Sequence, residues 1–141
     1  MKKILITTDG SEHAQKGVIY GRRIAEVFCS EVTVLNVIND FKSTHHHESV
    51  YIYDQSKEIF QAQAKSIMEK VEEDFKGFCG SLSTMIKLGD PAQVIIETIE
   101  EDKPDLVIIG SKGLTGIKKV VVGSVSNKVL NHTDVPVLVV R

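Results

Sequence analysis

The residues best placed to do chemistry lie between Asp105 and Val125, DLVIIGSKGLTGIKKVVVGSV. Gly110, Gly113 and Gly116 follow one another closely, and Gly123 with Ser124 opens a segment of helical periodicity. Glycine allows positive φ and lets a ligand come close to the main chain. A helix start adds unpaired N–H groups and the positive end of a dipole, which together favour an anion, phosphate above all. The stretch therefore reads as a cradle for a phosphorylated ligand, with a tight structural loop as the plainer alternative. Neither a GxxxxGK[ST] string nor a GxGxxG string occurs in the chain, so it is neither a P-loop nor the dinucleotide fingerprint. What remains is Gly110-x2-Gly113-x9-Gly123-Ser124.

Other reactive side chains form no recognisable catalytic set. There is no nucleophile elbow, no Cys/His pairing and no paired-carboxylate motif, and His13 and His132 read as isolated surface or helix-end residues. His45, His46 and His47 are adjacent, and three neighbours in a row cannot all face one metal in strand or helix geometry. Their loop has two readings, weak capture of Zn²⁺ or Ni²⁺ and closure over a nucleotide. Cys29 and Cys79 stand far apart in no CxxC arrangement. Each lies near the end of a predicted helix, and both are expected to be structural or incidental thiols rather than a redox pair.

The elements that must hold these residues alternate. Ile4 to Thr8 reads as a buried strand, and Asp9-Gly10-Ser11 turns into a helix reaching about Phe28, with Ser11 as N-cap. Val32 to Ile38 is a second buried strand, followed by a polar loop from Asn39 to about Val50. A long amphipathic helix is expected over Tyr51 to Phe78, ended by Gly77 and Gly80. Leu82 to Leu88 alternates as a partly open strand. Asp90 and Pro91 suit the N-cap and first position of a helix through Glu101. Leu106 to Ile109 is a short run rich in β-branched residues, the pattern of a strand covered on both faces. Ser124 to Asn131 is a short helix and Val135 to Val140 the last strand.

Strands alternating with helices imply parallel pairing through right-handed crossovers. The predicted fold is thus a doubly wound α/β sandwich, a five-stranded parallel sheet with helices on both faces. In such a sheet a ligand sits beyond the carboxyl ends of the strands, where the strand order reverses. Asp9, Val37 and Gly110 all fall at or just past such ends and are expected to converge on one crevice.

At 141 residues the chain has the length of one domain, enough to bury a core without metal or disulfide. Seventeen basic and nineteen acidic residues leave a net charge of −2, which argues against nucleic acid as the main partner and against a basic membrane patch. Met1 runs directly into two lysines and a strand, without a signal-type apolar region or a stretch approaching the roughly 18 residues of a membrane span. The expectation is a soluble, cytoplasmic protein.

The glycine spacing resembles the nucleotide-binding signature of the universal stress protein family, in its ATP-binding branch. The first strand and turn, Lys2 to Ser11, the junction Gly89-Asp90-Pro91-Ala92 and the terminal Val135-Pro136-Val137-Leu138-Val139-Val140 carry the same resemblance. Together they span essentially the whole chain in the family's order. The resemblance implies one domain over 1–141, of the adenine nucleotide alpha hydrolase-like fold, with ATP and Mg²⁺ as ligands and at most slow hydrolysis. It places the adenosine half of the ligand at Thr7, Asp9 and Val37. Asp9 would take a ribose hydroxyl or help a metal ion, and the Val37 backbone would meet the adenine edge. Gly110, Ser111, Lys112, Gly113, Gly123, Ser124 and Val125 match the phosphate and ribose segment, with Ser124 able to touch Mg²⁺.

From the residues alone, Asp9 is equally a turn residue, Ser124 an N-cap, and Thr7 and Val37 buried strand. Lys112 stands where the family more often has Arg or His, giving charge without a bidentate fork. Lys118 and Lys119 in the spacer add positive potential or form a solvated face. The resemblance also implies a homodimer through the C-terminal strand. A nucleotide-free dimerising module and a genuine phosphohydrolase are the alternatives.

Overall fold

Ile4, Leu5 and Ile6 are each at most 1% exposed because β1 (Lys3–Thr7) lies in the middle of a sheet covered on both faces. The structure, a computed structural model, describes residues 1–39, 50–113 and 122–141, with 50–56 described by their backbone alone. β1 pairs in parallel with β2 (Glu31–Asn39) on one side and β4 (Leu106–Gly110) on the other, so that Ile6 lies beside both Val34 and Ile108. β3 (Ser81–Gly89) adds to β2, and β5 (Val137–Val140) to β4. The order is β3-β2-β1-β4-β5, all parallel, which is the predicted doubly wound sheet.

Parallel neighbours need crossovers. Four helices supply them: α1 (Glu12–Phe28), α2 (Val50–Asp74), α3 (Pro91–Asp102) and α4 (Ser124–Asn131). Alternate strand residues feed two apolar layers. Ile4, Ile6, Val34 and Ile108 pack with Val18 and Ala25 of α1 and Met68, Val71 and Phe75 of α2. Leu5, Leu35, Val107 and Ile109 pack with Ile95, Ile96 and Ile99 of α3 and Val129 of α4. Burial of each large side chain contributes about 1.5–3 kcal/mol, which is why the central strands read as unbroken apolar runs.

The helix starts follow the predicted capping chemistry. Ser11 Oγ accepts the Ala14 N–H, and Asp90 Oδ1 accepts the Gln93 N–H at 2.9 Å, with Pro91 at the first position of α3. Such a cap stabilises a helix by about 1 kcal/mol. α1 and α3 both close on a left-handed residue, Cys29 at φ 45° and Lys103 at φ 48°.

Three local expectations change. α2 stops at Asp74 rather than near Phe78, because Arg22 of α1 donates to the carbonyls of Asp74 and Lys76, and Gly77 then turns at φ 76°. β5 begins at Val137 rather than Val135. Pro136 has no N–H to give, although its carbonyl accepts from Val107 at 2.9 Å and starts the ladder. The two cysteines are not separate thiols: Cys29, at the end of α1, and Cys79, just before β3, form a disulfide with Cα atoms 5.3 Å apart. The pairing arises because α1 and α2 lie on the same face of the sheet, which brings the end of α1 beside the turn that follows α2. The polar loop with His45 to His47 lies outside the described residues.

Candidate nucleotide site

Beyond the carboxyl ends of β1, β2 and β4 lies a crevice of about 170 Å³. It sits where the strand order reverses, between β1 and β4. Its lining is mixed in chemistry. Leu35 and Val37 of β2 and Pro91 and Ile95 of α3 give it an apolar part, and Leu35, Val37 and Ile95 belong to the layer between the sheet and α3 and α4, while Ile109 and Val125 directly adjoin the polar residues Gly110 and Ser124. Asp9, Lys112, Gly113, Gly123 and Ser124 make up its polar part.

β1 is held to its neighbour at the rim. The Thr8 N–H donates to the Leu35 carbonyl at 2.9 Å, and Asn36 Nδ2 donates to the Thr8 carbonyl at 2.8 Å. Asp9 follows, and its Oδ1 accepts the Ser11 N–H at 2.9 Å, an Asx turn that leads into α1. The turn reading and the crevice reading of Asp9 therefore coexist. Gly10 takes φ 80° in the same turn.

Gly110 and Gly113 stand where close neighbours, main chain at the first and a carboxylate at the second, leave little room for a side chain. A Cβ on Gly110 would lie 2.8 Å from the Ala14 N, so α1 could not close on the end of β4. A Cβ on Gly113 would lie 2.8 Å from Asp9 Oδ2. Gly123 is the N-cap of α4 and makes no side-chain cap bond, and Gly123, Ser124, Val125 and Ser126 at that helix start line the crevice. Ser124, open to both a capping and a ligand role in the sequence, is thus the first residue inside α4 rather than its N-cap.

Nine of the ten expected site residues line this one crevice: Thr7, Asp9, Val37, Gly110, Lys112, Gly113, Gly123, Ser124 and Val125. Ser111 does not. It is fully buried behind the rim, and its Oγ lies 3.1 Å from His13 Nδ1. His13, expected as an isolated surface or helix-end residue, does lie at a helix end, in the first turn of α1, but it is half-buried and meets Ser111 rather than standing alone. Sequence reasoning also passed over Thr8, Leu35, Pro91, Ile95, Ile109 and Ser126 on the lining. Thr8 and Pro91 carried a signal, through the first strand and turn and through the junction with Asp90. Gly116, Lys118 and Lys119 lie outside the described residues.

The donor set fits a nucleotide with a divalent ion. An apolar slot suits a flat base, glycine backbone and a helix start suit phosphate, and the Asp9 carboxylate and Ser124 hydroxyl are hard oxygen donors of the kind Mg²⁺ takes. Among the described residues no cluster of three His, Cys, Asp or Glu side chains could hold a metal by itself, so such an ion would depend on the phosphates it accompanies. Lys112 is the cation on the described lining, and Asp9 the anion.

A parallel β3-β2-β1-β4-β5 sheet with a glycine-lined crevice at its switch point defines a doubly wound α/β protein, a class that takes its ligands at that place. The universal stress protein family model matches residues 1–141, and the chain belongs to that family. It is 28% identical over 153 residues to universal stress protein MJ0577 of Methanocaldococcus jannaschii, covering 99% of this chain and 94% of that protein. The solved MJ0577 structure superposes with a TM-score of 0.85 at 30% identity, again over 99% of this chain and 94% of the other. A universal stress protein in complex with cAMP shares the fold at TM-score 0.73 and 20% identity, over 99% and 96% of the two chains. So does a family member from Arabidopsis thaliana with AMP bound, at TM-score 0.69 and 18% identity, over 99% and 91%. Among the described residues no helix is long and apolar enough to cross a membrane.

Proposed function

We propose that this chain, acting as a single domain over 1–141, binds ATP with Mg²⁺ in the crevice and that occupancy, or slow hydrolysis, alters a downstream interaction in a stress response. The observation that carries this reading is the split of one crevice into an apolar slot and a glycine-lined polar rim at the switch point of the sheet. The AMP and cAMP complexes of two structural neighbours support adenine nucleotides as the ligand class.

In this reading the base lies against Val37, Pro91 and Ile95, and Thr7 and Asp9 meet the ribose. The phosphates and the ribose lie along Gly110, Lys112, Gly113, Gly123, Ser124 and Val125. Asp9 and Ser124 would hold Mg²⁺, which when bound neutralises phosphate charge. The described lining holds no residue pair suited to general acid–base work, so a fast phosphohydrolase is the weaker reading.

Protein purified without added nucleotide, denatured and analysed by mass, is expected to release an adenine nucleotide, and stripped protein to rebind ATP in the presence of Mg²⁺. No uptake at millimolar ATP would leave the nucleotide-free assembly module as the better reading. A turnover above about 1 per second would favour the phosphohydrolase.

β5 is an edge strand, and we place the homodimer contact there. The carbonyls of Pro136 and Val140 face β4, accepting from Val107 and Ser111, so by alternation the backbone polar groups of Val137 and Val139 face away from the sheet. An edge with open backbone groups calls for a partner strand. Leu138, 37% exposed, adds apolar surface beside it.

A further inference from the structure

We infer that His13 and Ser111 form a clasp that positions the phosphate-binding rim, an inference that rests on the nucleotide reading above. Ser111 directly follows β4 and is 0% exposed, yet each of its polar groups has a partner in a different element. Its N–H donates to the Val140 carbonyl of β5 at 2.7 Å. Its carbonyl accepts from the Gly123 N–H at 2.6 Å and from Ser126 Oγ at 3.4 Å, both at the start of α4. Its hydroxyl meets His13 Nδ1 in the first turn of α1 at 3.1 Å.

The backbone bonds of Ser111 require no particular side chain, only a residue held in this position. The hydroxyl adds the tie to α1, and a buried hydroxyl is retained at no penalty only when it is bonded. A second tie runs in parallel: Ser11, the N-cap of α1, donates from its Oγ to the Lys112 carbonyl at 3.3 Å. The first turn of α1 thus holds two successive loop residues through two side chains. Since Ser111 in turn holds Gly123, the placement of the α4 amides relative to Gly113 passes through His13.

This geometry acts on one end of the ligand only. The clasp holds the polar rim, whereas the apolar slot of Val37, Pro91 and Ile95 is built from β2 and α3, which the clasp does not touch. Losing it should loosen the grip on phosphate and leave the grip on the base unchanged. A polar pair that merely fills space in the core would weaken both ligands together, or neither.

The test compares ATP with adenosine by calorimetry on wild type, His13→Ala, Ser111→Ala and His13→Asn. Asn places a polar atom as many bonds from Cα as Nδ1 does. We expect about tenfold weaker ATP binding in His13→Ala and Ser111→Ala, the size of one good hydrogen bond, with adenosine changed less than about twofold. His13→Asn is expected to restore most of the loss. Parallel losses for both ligands, unchanged ATP affinity, or no recovery with Asn would overturn the clasp.

Exchange of the Gly123 amide, followed by NMR without nucleotide, separates this inference from the reading beneath it. Protection in wild type that falls in both alanine variants supports the clasp even if ATP does not bind. Equal protection in all of them removes the clasp even if it does. Ser111→Ala deletes a single oxygen, so it carries the comparison should His13→Ala not fold.

Discussion

Gly113 and Asp9 approach so closely that a methyl group on the glycine would sit 2.8 Å from the carboxylate oxygen Oδ2. Real Cβ atoms do not tolerate that distance, so Gly113→Ala must displace either the loop or the Asp9 side chain, both on the lining of the crevice. We expect ATP affinity to fall about tenfold or more, while the melting temperature moves little because the strain sits on the rim and not in either apolar layer. Calorimetry together with a thermal melt checks both halves. A variant that binds ATP as well as wild type would show that Gly113 is not beside the phosphates.

The Cys29–Cys79 disulfide closes a sequence separation of 50 residues. Constraining the unfolded chain over such a loop contributes about 4 kcal/mol in the chain-entropy account. Urea unfolding with and without a dithiol reductant, beside Cys29→Ser, is expected to show a loss of up to that size. Identical midpoints in oxidant and reductant would mean that the bond gives no net stability.

Asp105, just before β4, accepts from main-chain donors at the start of β1, Lys3, and just ahead of it, Lys2. The Lys3 N–H, at 3.0 Å, and the Lys2 N–H hold its carboxyl below the usual range. A depressed folded pKa means stability that is present above the ordinary aspartate value of about 3.9 and lost as pH falls through the lower folded value. Wild type should therefore exceed Asp105→Asn in urea midpoint at neutral pH, with the gap closing as pH falls below the ordinary aspartate range. A gap that is constant with pH would rule out titration as its cause.

Ile108 is 0% exposed, packs with Ile6 and Val18, and faces α1 from the middle of β4. Ile108→Ala should cost about 2–5 kcal/mol, read from denaturant unfolding at constant slope. A cost below about 1 kcal/mol would indicate a layer loose enough to collapse around the gap.

At the sheet edge, Val139→Pro removes an outward N–H without breaking a bond to β4, as the alternation along β5 requires. Light scattering at micromolar concentration is expected to report a dimer for wild type and a shift toward monomer for this variant. A monomeric wild type would remove β5 as the contact.

Much of this was legible in the sequence because the signals were local. Ile4 to Ile6 and Leu106 to Ile109 announced covered strands by composition, and Ser11, Asp90 and Pro91 announced helix starts by capping chemistry. The crevice was legible through the glycine spacing together with the rule that parallel sheets bind beyond their carboxyl ends. What escaped depended on distance along the chain. Cys29 meets Cys79, and His13 meets Ser111 across 98 residues, only because helices and strands stack in a particular order. No periodicity carries such a meeting. Nor could it show that Ser111, two residues before Gly113, turns its side chain into the protein while its neighbour Lys112 lines the opening.

The sulfur bridge leads into the starting ends of β2 and β3, since Ser30 and Gly80 follow its two members, whereas the crevice lies where strands finish. The molecule therefore has two poles with separate chemistries. A dye or a surface anchor attached through reduced Cys79 would leave the opposite mouth facing free solution, so this fold comes with its own handle for single-molecule work.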